Sequence, residues 1–217
     1  MKSVMIVDDH SAVRMGLKQL VEQIPNLEVI GEASTGEIAY DCYTKLMPDL
    51  VIIDLSMPGV GGVESIRKIL SRKESPKIIV YTMHDEIIHV RKAMEAGASA
   101  YVLKSENVDD LILAIEKVMS SQRYLSEVVA QKLAIESVSE DILPIERLSA
   151  REYEVFCFLV KGMKVGEIAK LLAISSKTVA TYQTQLKQKL HINSSVDLVI
   201  HAVKSGILSL EKQGNSL

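Results

Sequence analysis

The sequence predicts an α/β domain, a doubly wound five-stranded parallel sheet, followed by a small all-α domain of four helices. Three observations carry that prediction. Over residues 1–121, short apolar runs alternate with amphipathic stretches. The central run at 50–55, LVIIDL, is apolar at both odd and even positions, as a parallel strand buried on both faces must be. From Leu148 onward the strand signals stop and helical spacing takes over.

Strands are expected at 4–7, 28–33, 50–55, 77–82 and 101–104, and helices between them at about 11–23, 35–46, 62–71, 86–96 and 108–121. Residues 122–147 are read as a linker holding a short helix at about 127–136. After that helix the chain is polar and broken by Pro144.

The second domain is set at 148–210, with a tail at 211–217. Ser149 opens S-A-R-E, an N-cap with Glu152 at capping-box spacing. Val155, Phe156, Leu159 and Val160 follow at helical spacing, and Gly162 ends that helix. A second helix is expected at about 165–172. A third, capped by Ser175 or Ser176, runs to Leu190, and a fourth at about 195–204 ends at Gly206.

Composition narrows the classes of function. A hydrophobic fraction of 47% with 24% charged residues is ordinary for a globular protein. No run approaches the roughly 18 to 20 apolar residues of a membrane span. The N-terminal run at 4–7 is too short for a secretory signal, so a cytoplasmic protein is expected. Cys42 and Cys157 lie too far apart for a C-x-x-C motif, and the five histidines are scattered, so no zinc site is expected. The charge is uneven: residues 1–144 carry 15 Lys+Arg against 22 Asp+Glu, and residues 145–210 carry 9 against 5. An acidic half joined to a basic half suggests two jobs, the basic one at a polyanion.

Chemistry concentrates at one rim of the expected sheet. Asp8 and Asp9 follow the first strand, and Asp54 closes the third. Carboxyl ends of parallel strands are neighbours, and ligands bind there. Two carboxylates about 4 Å apart repel by roughly 4 kcal/mol at an effective dielectric near 20. Such a site raises a pKa or holds a hard cation, and a few oxygen ligands suit Mg²⁺. The plainer alternative is that Asp8 and Asp9 cap the helix beginning near Ser11. Thr82 ends the fourth strand and Lys104 the fifth, which adds a hydroxyl and an ammonium to the same rim. Together these groups form a phosphoryl-handling site with Asp54 as nucleophile.

The segments MIVDDH, LVIIDLSMPGVGG, IIVYTMHDE and GASAYVLKS resemble the signature segments of response-regulator receiver domains, which have a CheY-like fold. The resemblance covers residues 1 to about 121. It implies that Asp54 accepts phosphate from a sensor histidine kinase, and that Asp8, Asp9, Asp54 itself and the Ser56 carbonyl place Mg²⁺. It implies further that Thr82 moves to the phosphoryl group, Tyr101 rotates inward, and Lys104 bridges to an acyl-phosphate oxygen. Met83 stands where receivers often have a small residue, and Ser105 where many have proline.

From Gly162 to Val179 the chain matches G-x-x-x-x-E-I-A-x-x-L-x-I-S-x-x-T-V, which resembles the LuxR/NarL-type (NarL/FixJ family) helix-turn-helix. Given that register, Ser176, Lys177, Ala180, Thr181, Thr184 and Gln185 face outward and would enter the major groove. Lys177 and Lys187 are expected at phosphates, joined by Lys161 and Lys164 from the preceding turn. Thr181 suits a thymine methyl and Gln185 an adenine. Family members commonly carry Lys, Arg or His at several positions from 180 to 185, whereas this chain reads Ala-Thr-Tyr-Gln-Thr-Gln. Tyr182 within T-V-x-T-Y resembles the GacA/UvrY branch. Fewer cations weaken non-specific binding, so DNA binding is expected to need a homodimer. The resemblance implies the same, with Val196, Val199, Ile200 and Val203 of the last helix packing the dimer. Core packing explains such a stripe equally well.

The implied partners are the kinase, promoter DNA, a second copy of the chain and, at the promoter, RNA polymerase; no membrane partner is expected. An interaction protein that mainly binds a partner, with DNA binding secondary, is the alternative. A phosphatase using Asp54 is disfavoured, because Leu55 and Ser56 follow it and the D-x-D pair of one such class is missing. The chain is therefore expected not to be an enzyme.

Overall fold

The structure, a computed structural model, describes residues 1–72, 76–137, 144–192, 194–204 and 207. It divides into two compact units, the first running through the helix that ends at Ser137 and the second carrying the remaining helices. The expected end of the last helix at Gly206 and the 211–217 tail lie outside the described residues.

In the first unit β1 (Lys2–Val7), β2 (Leu27–Ala33), β3 (Leu50–Ile53), β4 (Lys77–Thr82) and β5 (Ala100–Leu103) alternate with α1 (Ser11–Gln23), α2 (Gly36–Leu46), α3 (Gly62–Leu70), α4 (Ile87–Glu95) and α5 (Val108–Met119). The strands are parallel in the order β2-β1-β3-β4-β5. All four residues of β3 are buried, because helices cover both faces of the sheet. One core layer joins Val4, Ile6 and Ile52 to Leu17 and Val21 of α1 and to Leu111, Ile115 and Val118 of α5. Full burial of each such side chain contributes about 1.5–3 kcal/mol.

The sheet has six strands, not five. Just after α5, Tyr124–Leu125 form β6, parallel to β5 at the sheet edge. The Tyr124 amide donates to Ser99 O and the Ser126 amide to Tyr101 O, which locks the segment to β5. The helix α6 (Glu127–Ser137) then lies against α4 and β5, with Val129 fully buried. The Lys132 ammonium pairs with the Asp85 carboxylate in the β4–α4 loop. The expected linker at 122–147 is thus corrected: its first part is a strand and helix of the first unit.

The end of that segment belongs to the second unit. Pro144–Arg147 form a 3-10 turn against α9, with Ile145 buried. The bundle comprises α7 (Ala150–Val160), α8 (Val165–Leu171), α9 (Ser176–Leu190) and α10 (Ser195–Lys204). Val155, Phe156, Ile168, Val179, Leu186 and Leu190 make its core. Ser149 and Glu152 form the capping box that starts α7. Gly162 ends α7 with φ +79, left-handed backbone that glycine adopts without strain, and the Met163 amide donates to Phe158 O. Ser175, not Ser176, caps α9: its hydroxyl accepts the Thr178 amide at 3.0 Å. No helix among the described residues is long and apolar enough to cross a membrane.

Candidate functional site: an acidic rim and an exposed helix

Asp8 and Asp54 immediately follow β1 and β3, which pair in register, so their carboxylates meet at the rim. Both are almost fully buried, at 1% and 2% exposure. Lys104, just beyond β5, reaches between them: its Nζ donates to Asp8 Oδ2 at 2.6 Å and Asp54 Oδ2 at 2.7 Å. Burial works against the Lys104 charge, but the hydrogen bonds and fields of Asp54 and Asp8 outweigh it and raise its pKa.

The remaining oxygens are engaged locally. Asp8 Oδ1 accepts the His10 amide at 2.8 Å, and Asp54 Oδ1 accepts the Ser56 amide at 3.1 Å. Asp9 lies beside them, with His10 Nδ1 2.7 Å from its Oδ1. His10 is the N-cap of α1 and its side chain makes no capping hydrogen bond. Asp8, Asp9, His10 and Asp54 each offer a ligand atom, all within 4.8 Å of one another. Oxygen donors dominate that set, which fits a hard divalent cation. Gly62 opens α3 directly behind the site: a Cβ there would sit 2.4 Å from Asp54 O and 2.6 Å from Leu55 Cα, so only glycine lets the two backbones approach.

Thr82 is fully buried at the end of β4, and the His84 amide lies 3.5 Å from its Oγ1. Tyr101 is also fully buried, its hydroxyl donating to His84 O at 2.8 Å. Burial pushes the Tyr101 phenol well above its ordinary pKa, so it stays protonated and can donate. Met83 is exposed beside Thr82.

The β4–α4 loop holds a cluster that the sequence reading passed over. His84, Glu86 and His89 bring one ligand atom each within 4.8 Å of one another. The two imidazole rings stack at 4.2 Å. His84 Nε2 lies 2.7 Å from Ser56 Oγ, and Nδ1 lies 3.5 Å from Glu86 Oε2. The hydrogen bond with His84 holds Glu86 at about 2, against some desolvation. Desolvation, with the field of His84, drives His89 down to about 4. Five residues apart in sequence, these histidines converge where the β4–α4 loop enters the first turn of α4.

On the second unit, Ser176, Lys177, Ala180, Thr181, Thr184, Gln185 and Lys187 are all exposed on α9, while Val179, Leu186 and Leu190 are buried. That division follows from the 3.6-residue period. Thr181 and Thr184 donate their hydroxyls to Lys177 O and Ala180 O, both at 3.0 Å. Lys164 is exposed at the N-cap of α8, and Lys161 is exposed two residues before Met163. On α10, Val196, Val199 and Ile200 are exposed and Ala202 is buried.

Two family descriptions match the chain: response regulator receiver domain over residues 4–116, and bacterial regulatory proteins, luxR family, over residues 146–202. The chain belongs to the response regulators. It has a receiver domain and a LuxR-type DNA-binding domain, the architecture of a transcription regulator controlled by phosphorylation. It is 38% identical to response regulator UvrY of Escherichia coli K12, over 97% of this chain and 98% of that one. It is 36% identical to response regulator GacA of Pseudomonas aeruginosa PAO1, over 96% and 98%. Among solved structures, RcsB of Salmonella enterica serovar Typhimurium bound to promoter P1flhDC with the phosphomimetic BeF3⁻ superposes with a TM-score of 0.61. That match is at 30% identity and covers 92% of this chain and 97% of RcsB. A LuxR-family response regulator from Aurantimonas sp. SI85-9A1 superposes with a TM-score of 0.62, at 40% identity over 64% of this chain and 99% of that one.

Within this response regulator, Asp8 and Asp54 meet at the Lys104 ammonium with Asp9 beside them, Thr82 ends β4, and the Tyr101 hydroxyl binds the β4–α4 loop. The expected α9 residues share one exposed face. Sequence reasoning missed the His84 ring, which joins the acidic rim to α4 through Ser56; the H-x-E-x-x-H spacing from 84 to 89 was its available signal.

Proposed function

We propose that Asp54 is the phosphoryl acceptor and that its modification controls promoter binding by the LuxR-type domain. A sensor histidine kinase is the donor. An Asp54 carboxylate oxygen attacks phosphorus, the P–N bond to the kinase histidine breaks, and that nitrogen recovers a proton. Asp8, Asp9 and the Ser56 carbonyl are suited to hold Mg²⁺, which neutralises phosphoryl oxygens when bound. Lys104 binds an acyl-phosphate oxygen, Thr82 donates its hydroxyl to another, and Tyr101 keeps the β4–α4 loop closed over the site.

One observation carries this reading. A single ammonium is held 2.6–2.7 Å from two buried carboxylates, a charge pattern that a phosphoryl group and a divalent cation are suited to take over. Phosphorylation adds about 1.5 to 2 negative charges there at neutral pH. Charge-assisted hydrogen bonds of roughly 1.5–3 kcal/mol each, from Lys104 and Thr82, would supply much of the roughly 5.5 kcal/mol needed for a full switch.

On DNA, α9 enters the major groove. Lys161, Lys164, Lys177 and Lys187 meet phosphates, and Thr181 and Gln185 read bases. The Thr181 hydroxyl is donated to Lys177 O, which leaves its methyl as the recognition element. The exposed apolar residues of α10 form the homodimer contact, and RNA polymerase is met at the promoter. The protein works in the cytoplasm and is not an enzyme in its own right. We place the receiver at residues 1–137 and the DNA-binding domain from 144, in place of the bounds at 121 and 148 expected from sequence.

A second reading draws on α9 itself, whose positions 180–185 hold no cation: the chain acts mainly through a protein partner. Incubation with a small phosphodonor and Mg²⁺ separates the two. Wild type should gain a phosphoryl group and tighter, sequence-specific promoter binding, and Asp54→Asn should lose both responses. Labelling that persists in Asp54→Asn would refute the acceptor assignment. A labelled wild type without specific promoter complexes would favour the partner reading.

A further inference from the structure

We propose that His84, Glu86 and His89 form a second metal site, specific for a borderline transition-metal ion of the Zn²⁺ class and distinct from the acidic rim. Two imidazoles and one carboxylate are a nitrogen-rich donor set that suits Zn²⁺ and disfavours Mg²⁺, which prefers oxygen alone. The three donor atoms already lie within 4.8 Å of one another, so an ion can be gripped without refolding the loop.

Local structure supports the assignment residue by residue. Glu86 is the N-cap of α4, and His89 follows three residues later, on the same side of the first turn. His84 precedes them in the β4–α4 loop. Its Nε2 is committed to Ser56 Oγ at 2.7 Å, and its Nδ1 faces Glu86. Metal-binding histidines show this division, with one nitrogen oriented by a neighbour and the other turned to the ion. His89 is buried, with its ring held against that of His84. The side chains of His84 and Glu86 remain 25% and 45% exposed, which leaves an entry path. Binding must turn at least one of the stacked rings, a small rearrangement of the loop.

The consequence, which rests on the receiver reading, is regulatory. His84 O accepts the Tyr101 hydroxyl, and the His84 amide faces Thr82. An ion that ties His84 to α4 holds this loop with Tyr101 inward and thereby biases the receiver without touching Asp54.

Calorimetric titration of the full chain with zinc sulfate, in excess Mg²⁺ to occupy the acidic rim, tests the site. One Zn²⁺ per chain is expected, with affinity falling at least roughly tenfold in both Glu86→Gln and His84→Ala. His10→Ala, which removes the only imidazole of the acidic rim, should leave it unchanged. Neither test variant touches the apolar core, and each should remain folded without metal, with the circular dichroism spectrum of the wild type. The absence of zinc binding, binding indifferent to both variants, or binding lost in His10→Ala overturns the proposal. Phosphodonor labelling of Asp54, measured separately, reports failure of the receiver reading independently of zinc.

Discussion

Lys104 holds together two carboxylates that would otherwise repel, and their hydrogen bonds and fields outweigh the burial that works against its own charge. Removing one partner of a buried ionic group leaves the others uncompensated, at a cost of roughly 3–5 kcal/mol. Lys104→Gln should therefore lose about 3 kcal/mol of unfolding free energy in metal-free buffer. It should also bind Mg²⁺ more tightly than wild type, because no ammonium competes for Asp8 and Asp54. Urea denaturation with and without Mg²⁺ reads both effects, and equal stability in metal-free buffer would show that the triad has no energetic role. Glu152 poses the same problem in the helical bundle. Burial raises its pKa, but Lys189 Nζ at 2.6 Å and the Ser149 amide at 2.6 Å outweigh burial and lower it below the ordinary 4.5. A carboxylate with a depressed folded pKa stabilises fully above its unfolded value, and that stability is lost as pH falls through the folded value. Glu152→Gln should cost about 1–3 kcal/mol at pH 7. It should also flatten the decline of bundle stability below pH 4.5. A variant that matches wild type at pH 7 would contradict the pairing.

Elements show where sequence patterns speak and where they fall silent. β3 was legible because both parities of LVII are apolar, and α7 because a capping box announces its start. The rim followed from them: Asp8, Asp54, Thr82 and Lys104 sit at strand ends, and a parallel sheet brings such ends together. β6 was not legible, since two residues carry no periodicity and only pairing with β5 makes Tyr124–Leu125 a strand. α6 was seen as a helix but read as linker, because its apolar residues follow no clear face. One of them, Val129, nonetheless anchors it. The cluster at 84–89 was hidden because a loop, not a regular element, folds His84 back over α4. Placed against α4 and tied to Asp85 by Lys132, α6 is positioned to feel the switch loop. Exposed ion pairs contribute only about 0–1 kcal/mol, so Lys132→Ala should barely change global stability. It should instead speed amide exchange in α6, read by hydrogen–deuterium exchange of the full chain. Unchanged exchange across 127–137 would show that Val129 and β6 alone hold the helix.

At the scale of the whole molecule, an acidic receiver is joined to a DNA-binding domain whose recognition helix holds no cation at positions 180–185. Each phosphate contact contributes about −0.9 to the slope of log Kobs against log salt. Symmetry turns that figure into a test of assembly, because a substitution in a two-fold dimer removes two contacts and in a monomer only one. With Lys177 exposed in the first turn of α9, Lys177→Ala should make the slope shallower by about 1.8 if the phosphorylated protein binds as a dimer. A monomer would give a change of about 0.9. The apolar stripe on α10 supplies an independent lever: Val199→Asp should convert the larger change into the smaller one while leaving the α9 face intact. Salt titrations of a labelled promoter with phosphorylated wild type, Lys177→Ala, Val199→Asp and the double variant provide the comparison. If Lys177→Ala changes the slope by only one contact in the wild-type background, the operator is held by single chains. The lack of cations at positions 180–185 must then be offset by base contacts rather than by pairing two weak surfaces.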